Sequence, residues 1–299
     1  MKKQYSKNIV NNYIFKYLKY LEIVKGRSIK TIEEYKRKLN IFFKWWGWKN
    51  IENIKKETLW KFRIYLINKK LDKKTQSYYL IVLRNFLKFL KNEGKNVLDP
   101  LLIELPKIDQ KPIEILSENE LNKILNYDEK ENQNIKWLRD KAIIETLFST
   151  GLRVSELCQL NKDIDLKSGE IVIKGKGGKI RVVFLSQRAI KHLRKYLKER
   201  KDDNPALFIS FAKNSQFKRL TTRSIQKIIK NYSKKLGLSK NIHPHTFRHQ
   251  FATILISKGV DIRLVQEMLG HKNISTTQMY THITKPKLKE IFKKYIDKI

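Results

Sequence analysis

From Ile9 to about Leu90 the apolar residues of this chain recur every three or four positions, as in Ile32, Tyr35, Leu39, Phe42, Phe43 and Trp46. That spacing lays one stripe along an α-helix and does not match the two-residue alternation of a strand. About four helices are expected here, with Ser28 capping the one that carries the stripe, Lys73-Lys74-Thr75 opening another and Gly94 ending it. Trp45, Trp46 and Trp48 read as core residues. The second half also reads as mostly helical, beginning at Ser117 with Glu120 three residues on, a capping-box start signal. Its exception is Ile171-Val172-Ile173 and Ile180 to Leu185, two β-branched runs around the glycine-bearing stretch Lys174 to Lys179, which read as a hairpin; Ser186 then caps a helix rich in Arg and Lys. The expected fold class is mainly α with a small β-hairpin.

A length of 299 residues fits two cores better than one, and a content of 41% hydrophobic and 11% aromatic residues is enough to build both. The stretch from Asp99-Pro100 through Pro106 to Pro112 holds three of the six prolines and little helical periodicity. The expected division is a helical domain over 1–107, a linker over 108–116 and a mixed α+β domain over 117–299. A hinge there would let two domains close around a partner.

Sixty-five Lys and Arg against 29 Asp and Glu leave a net charge of +36. Such self-repulsion disfavours the compact state, so a polyanionic partner is the direct reading, against the plainer one of a lysine-rich coding bias. Residues 1–107 hold 26 basic and 9 acidic residues and the remainder 39 and 20, so both domains would face phosphate, as in a clamp. The lone Cys158 forms no internal disulfide and belongs to no cysteine zinc site; its leucine neighbours suggest a buried thiol, and a reducing compartment is expected. With no apolar leader segment and no run of about 18 apolar residues, the expectation is a soluble cytoplasmic protein.

Several groups could act on a phosphate. Arg153 follows Ser149-Thr150-Gly151, a break after the apolar run Ala142 to Phe148, so its guanidinium would stand at a helix N-terminus, a place suited to an anion; taken alone, it could equally be a surface arginine beside a turn. Glu156, three residues later, would orient Arg153 or cap the helix. Lys176 sits in the hairpin turn, within reach of a bound phosphate or simply solvated; the glycine spacing excludes a Walker A loop. His245 and Arg248, three apart behind Pro244, share a helical face and present two donors to one phosphate. His271 follows Gly270, which would end the helix Ile262 to Leu269. Tyr280 would lie on a short helix started by Ser275, and its phenol, with an ordinary pKa near ~10, needs cationic neighbours to act as a nucleophile at neutral pH.

Taken together, Thr150-Gly151-Leu152-Arg153-Val154-Ser155-Glu156-Leu157, His243 to His249, Leu269-Gly270-His271 and Thr276 to His282 resemble the arginine boxes of the tyrosine recombinase, or phage integrase, family. The resemblance spans essentially the second half and departs from the pattern at no catalytic position. It implies a SAM-like helical core-binding domain that binds DNA, then a catalytic domain in which Tyr280 attacks a phosphodiester to give a 3′-phosphotyrosyl link. Arg153, Arg248 and His271 would stabilise charge on the non-bridging oxygens, Lys176 would protonate the leaving 5′ oxygen and His245 would assist proton transfer at the tyrosine. No metal or nucleotide cofactor is implied.

Within the family the chain looks most like the Xer type that resolves chromosome dimers, which implies an inverted-repeat target in double-stranded DNA and a tetramer, of one recombinase or a related pair, on two sites. Leu288, Ile291, Phe292, Tyr295 and Ile296 form an apolar stripe on a terminal helix, which must bury itself on its own domain or a neighbour; the resemblance favours the neighbour, as a head-to-tail exchange helix. The rivals are a phage or plasmid integrase with the same chemistry, a type IB topoisomerase and a DNA-binding protein with an inactive site.

Overall fold

The computed structural model describes residues 2–107, 115–127, 134–175, 180–238, 240, 242–270, 285–297 and 299. The chain forms two compact units, residues 1–112 and 113–299.

The first unit is built from α1 (Lys2–Ile23), α2 (Ile29–Trp46), α3 (Lys56–Asn68) and α4 (Lys73–Asn92). Ser28 caps α2, accepting from the Thr31 N–H, and Asp72 caps α4 in the same way through Thr75. The apolar stripe expected on α2 supplies the fully buried Leu39, Phe42 and Phe43, which meet Phe62 of α3 and Phe86 of α4. Aromatic rings meet one another within this core: Phe42 meets Phe62 edge-on at 4.9 Å between centroids, and Tyr17 meets Phe86 at 5.4 Å. Trp45, Trp46 and Trp48 pack against the same cluster, half-buried. Beyond α4 the proline-bearing segment remains fastened to this unit. Asp99 caps the short turn Pro100–Leu102 and pairs with Lys91, while Ile103 is buried and its carbonyl accepts from Arg84.

The second unit is centred on α6 (Ile135–Thr150), whose last fourteen residues are buried save Asp140. Around it lie α5 (Glu118–Asn126), α7 (Val154–Gln159), α8 (Gln187–Glu199), α9 (Thr222–Lys235), α10 (Pro244–Ser257), α11 (Ile262–Leu269) and α12 (Lys285–Tyr295). Ser117 and Glu120 form the expected capping box on α5, and Ser186 caps α8. Buried cations on α6 find partners: Lys141 donates to the Leu125 carbonyl and pairs with Glu145, and Arg139 donates to the Ile209 carbonyl.

The hairpin forms where the period changes. Strands β1 (Glu170–Lys174) and β2 (Ile180–Phe184) pair antiparallel in the register Val172↔Val182. Alternation sends Ile171, Ile173 and Val183 into the main core and leaves Val172 and Ile180 exposed. Phe184 faces a second cluster, with Phe251 and Leu255 of α10, Val265 and Leu269 of α11, and Phe292 and Ile296 at the end of the chain. In this single chain the apolar stripe of α12 therefore covers its own domain. Phe292 meets Phe184 at 5.6 Å, Lys289 pairs with Glu170 at 2.8 Å, and Asp297 accepts from the Gln187 N–H at the start of α8.

Candidate active site

Arg153 stands, as its position predicts, at the N-cap of α7. Gly151, in the left-handed region with φ +58°, ends α6 and turns the chain so that α7 begins three residues later. Glu156 does both of the things open to it. Its Oε2 accepts from the Arg153 backbone N–H at 2.9 Å, which caps the helix, and its Oε1 accepts from Arg153 Nη1 at 2.9 Å, which orients the fork. Arg153 Nη2 donates to the Gly270 carbonyl at 3.0 Å, so the exit of α11 helps hold it too.

Arg248 lies one turn into α10 and is almost fully buried. Its Nη1 donates to the Gly151 carbonyl and its Nη2 to the Leu269 carbonyl, both at 2.7 Å. Each fork thus spends one N–H from each terminal nitrogen on described partners, and further donors remain for an anion. Burial, then repulsion from Arg153, pulls Arg248 down to about 10, which still leaves it protonated at neutral pH.

A third arginine belongs to the cluster and was not singled out from the sequence. Arg181 of β2 grips Glu156 with both terminal nitrogens, Nη1 to Oε1 at 3.1 Å and Nη2 to Oε2 at 2.7 Å, and its Nε donates to the Met268 carbonyl at 3.2 Å. The one signal in the sequence was a cation within a strand of otherwise apolar residues. Burial alone would raise the Glu156 carboxyl, but its bonds from Arg181 and from the Arg153 backbone outweigh that and bring it down to about 2. Among the described residues of this cluster, three guanidiniums face one ionised carboxylate, and the surplus positive charge suits a phosphodiester.

His245 is exposed at the start of α10, one turn before Arg248, with Pro244 at the first helical position. Partial burial, followed by the charges of His243, His249, Arg248 and Arg153, pushes it below the usual histidine range. At pH 7 it is neutral and can accept a proton. Gly270 ends α11 in the left-handed conformation, as expected. Lys176, His271 and Tyr280 lie outside the described residues. Cys158 is half-buried against the main core, and burial pushes its thiol up to about 11, so it is protonated and inert at neutral pH. Among the described residues no helix is long and apolar enough to cross a membrane.

Residues 114–287 match the phage integrase family, and residues 14–94 match the N-terminal SAM-like domain of phage integrases. The chain belongs to the phage integrase family and is a tyrosine recombinase, an enzyme that cleaves and rejoins DNA. The tyrosine recombinase XerD of Oceanobacillus iheyensis is 39% identical over 292 residues, covering 92% of this chain and 95% of that protein. The tyrosine recombinase XerC of Leptospira interrogans is 35% identical over 300 residues, covering 97% and 95%. Among solved structures, the XerH site-specific recombinase bound to difH substrate in a pre-cleavage complex is 28% identical with a TM-score of 0.65, covering 91% of this chain and 81% of that one. The Tn1549 transposon integrase in complex with transposon right end DNA shares the fold, with a TM-score of 0.70 at 21% identity, covering 94% and 98%.

Proposed function

We propose that this chain is a Xer-type site-specific recombinase that resolves chromosome dimers, with Tyr280 as its nucleophile. The observation that carries the chemistry is the arginine pair: Arg153 and Arg248 both donate to carbonyls at the exit of α11, Gly270 and Leu269, with Arg248 also held by the Gly151 carbonyl and Arg153 by an ionised Glu156. Two preorganised forks cost little reorganisation when charge builds on the non-bridging oxygens of a phosphodiester. The Tyr280 oxygen bonds to phosphorus as the bond to the 5′ oxygen breaks. The phenol proton passes toward neutral His245, and Lys176 protonates the departing 5′ oxygen. His271 joins the two arginines on the phosphate. The phosphotyrosyl link conserves the energy of the broken bond, and attack by a 5′-hydroxyl of the partner duplex runs the same steps backwards.

The Xer reading is supported by relatives of both the XerD and the XerC kind that match almost end to end. The assembly that fits is a tetramer, of one recombinase or a related pair, on two inverted-repeat sites, with α12 released from its own domain to dock on the next protomer. The remaining alternative is a mobile-element integrase with the same chemistry. The test is to incubate the protein with fragmented DNA from its source in EDTA, denature it and sequence what stays covalently attached, with Tyr280→Phe as control. A single inverted-repeat chromosomal site, lost in the control, is the expected result. Sites at element ends would move the reading to an integrase, scattered attachment to a topoisomerase, and no Tyr280-dependent attachment would overturn it.

A further inference from the structure

We propose that Arg181 is a positioning residue of the cleavage reaction, acting through Glu156 and the end of α11 to keep Arg153 directed at the scissile phosphate. The inference rests on the recombinase reading above. One guanidinium here ties three separate elements together: it is carried by β2, holds both carboxylate oxygens of Glu156 on α7, and reaches the carbonyl of Met268 on α11. Its contacts beyond β2 end at the two places where the Arg153 side chain is also held, Glu156 and the α11 exit at Gly270. The fit is close, because a Cβ at Gly270 would stand 3.1 Å from Arg181 Cδ and 3.2 Å from its Nη1.

The physical need for such a clamp follows from the charges. Glu156 is buried and ionised, and a buried carboxylate draws in whatever cation it can reach. With Arg181 on both of its oxygens, Glu156 needs only one side-chain bond from Arg153, and the rest of that fork is left for substrate. Without Arg181, Glu156 would pair fully with Arg153, turning its fork away and cancelling its charge against the phosphate. Lysine is no substitute, since a single ammonium cannot span two carboxylate oxygens and a carbonyl. Arg181 also stands five residues after Lys176 in the sequence, so the same bonds tie the strand that follows the proposed proton donor to the arginine cluster.

The experiment follows single-turnover formation of the covalent protein–DNA adduct by the full chain, on a duplex of the sequence captured in the EDTA experiment. Arg181→Gln is expected to slow adduct formation about 10- to 100-fold, the range typical when the group orienting a functional residue is removed, with DNA affinity held within about threefold. In the Glu156→Gln background, adding Arg181→Gln should cost no more than a further threefold or so, because the two residues act as one unit. That comparison also stands if Arg181→Gln alone does not fold, since the double substitution leaves no unpaired buried charge. A substrate with one non-bridging oxygen replaced by methyl carries no charge for Arg153 to meet, so the deficit of Arg181→Gln should shrink to a few-fold on it. Multiplicative deficits in the double variant, an undiminished deficit on the methylated substrate, or a loss confined to DNA affinity would overturn the assignment. No adduct from the unaltered chain would overturn the recombinase reading as well, whereas a normal adduct rate from Arg181→Gln would overturn this inference alone.

Discussion

Gly151 is the residue whose smallest change should do the most damage. It sits at φ +58°, where an alanine costs about 1–2 kcal/mol in backbone strain alone. A Cβ there would lie 2.9 Å from Leu269 Cδ2 and 3.1 Å from Phe251 Cδ1. Both neighbours are fully buried, so the added methyl must be accommodated by displacing packed side chains, at about 1–3 kcal/mol. Gly151→Ala should therefore destabilise the catalytic unit by about 2–5 kcal/mol. Gly259 supplies the control, since its φ of +78° carries the backbone cost but no atom lies within 4 Å of a Cβ there. Gly259→Ala should lose only the first part, about 1–2 kcal/mol. Native-state hydrogen exchange of the α6 amides reports on this unit without interference from the first one. Because the carbonyls of Gly151 and Leu269 hold Arg248, Gly151→Ala should also slow adduct formation at unchanged DNA affinity, and Gly259→Ala should not. Equal stability losses in the two variants, within about 0.5 kcal/mol, would refute the packing argument.

Three further outcomes are expected. Stability should fall in two steps as the medium is acidified. His192, which burial pushes from 6.5 down to about 4, stays neutral when folded but protonates when unfolded, so it should remove at most about 3 kcal/mol between pH 6.5 and 4. Glu156, held at about 2 against an ordinary 4.5, contributes stability that is fully present above pH 4.5 and is lost toward pH 2, again about 3 kcal/mol. His192→Gln should flatten only the upper step in pH-dependent urea titrations, and a curve unchanged by it would count against that assignment. DNA affinity should drop about a thousandfold between 50 and 200 mM salt, as expected for roughly six neutralised phosphates, and a shallow salt slope would contradict a clamp of two basic units. Phe292→Ala should loosen α12 from its own domain by about 3–5 kcal/mol, read as faster exchange of the amides from Leu288 to Tyr295; undiminished protection there would contradict cis docking.

Much of this was legible in the residues themselves. Spacing of three and four marked the helices, Ser28, Ser117 and Ser186 marked their starts, and β-branched alternation marked the hairpin, because these signals act over a few neighbouring residues. Arg153, Glu156 and Arg248 stood out for the same reason, each sitting at a local break or helix start. Three things needed the tertiary structure. Arg181 reads as an ordinary strand residue until Glu156 is brought to it from 25 positions away. The carbonyls of Gly151, Leu269 and Gly270 became arginine ligands only when α6, α10 and α11 were packed together, since a main-chain group carries no sequence signature. The stripe on α12 announced that it would be buried but not where, and in this chain it found Phe184 and α10 of its own domain. Local periodicity and capping determined which elements form, whereas long-range packing decided which charges meet, because an ion pair depends on where two distant segments come to lie.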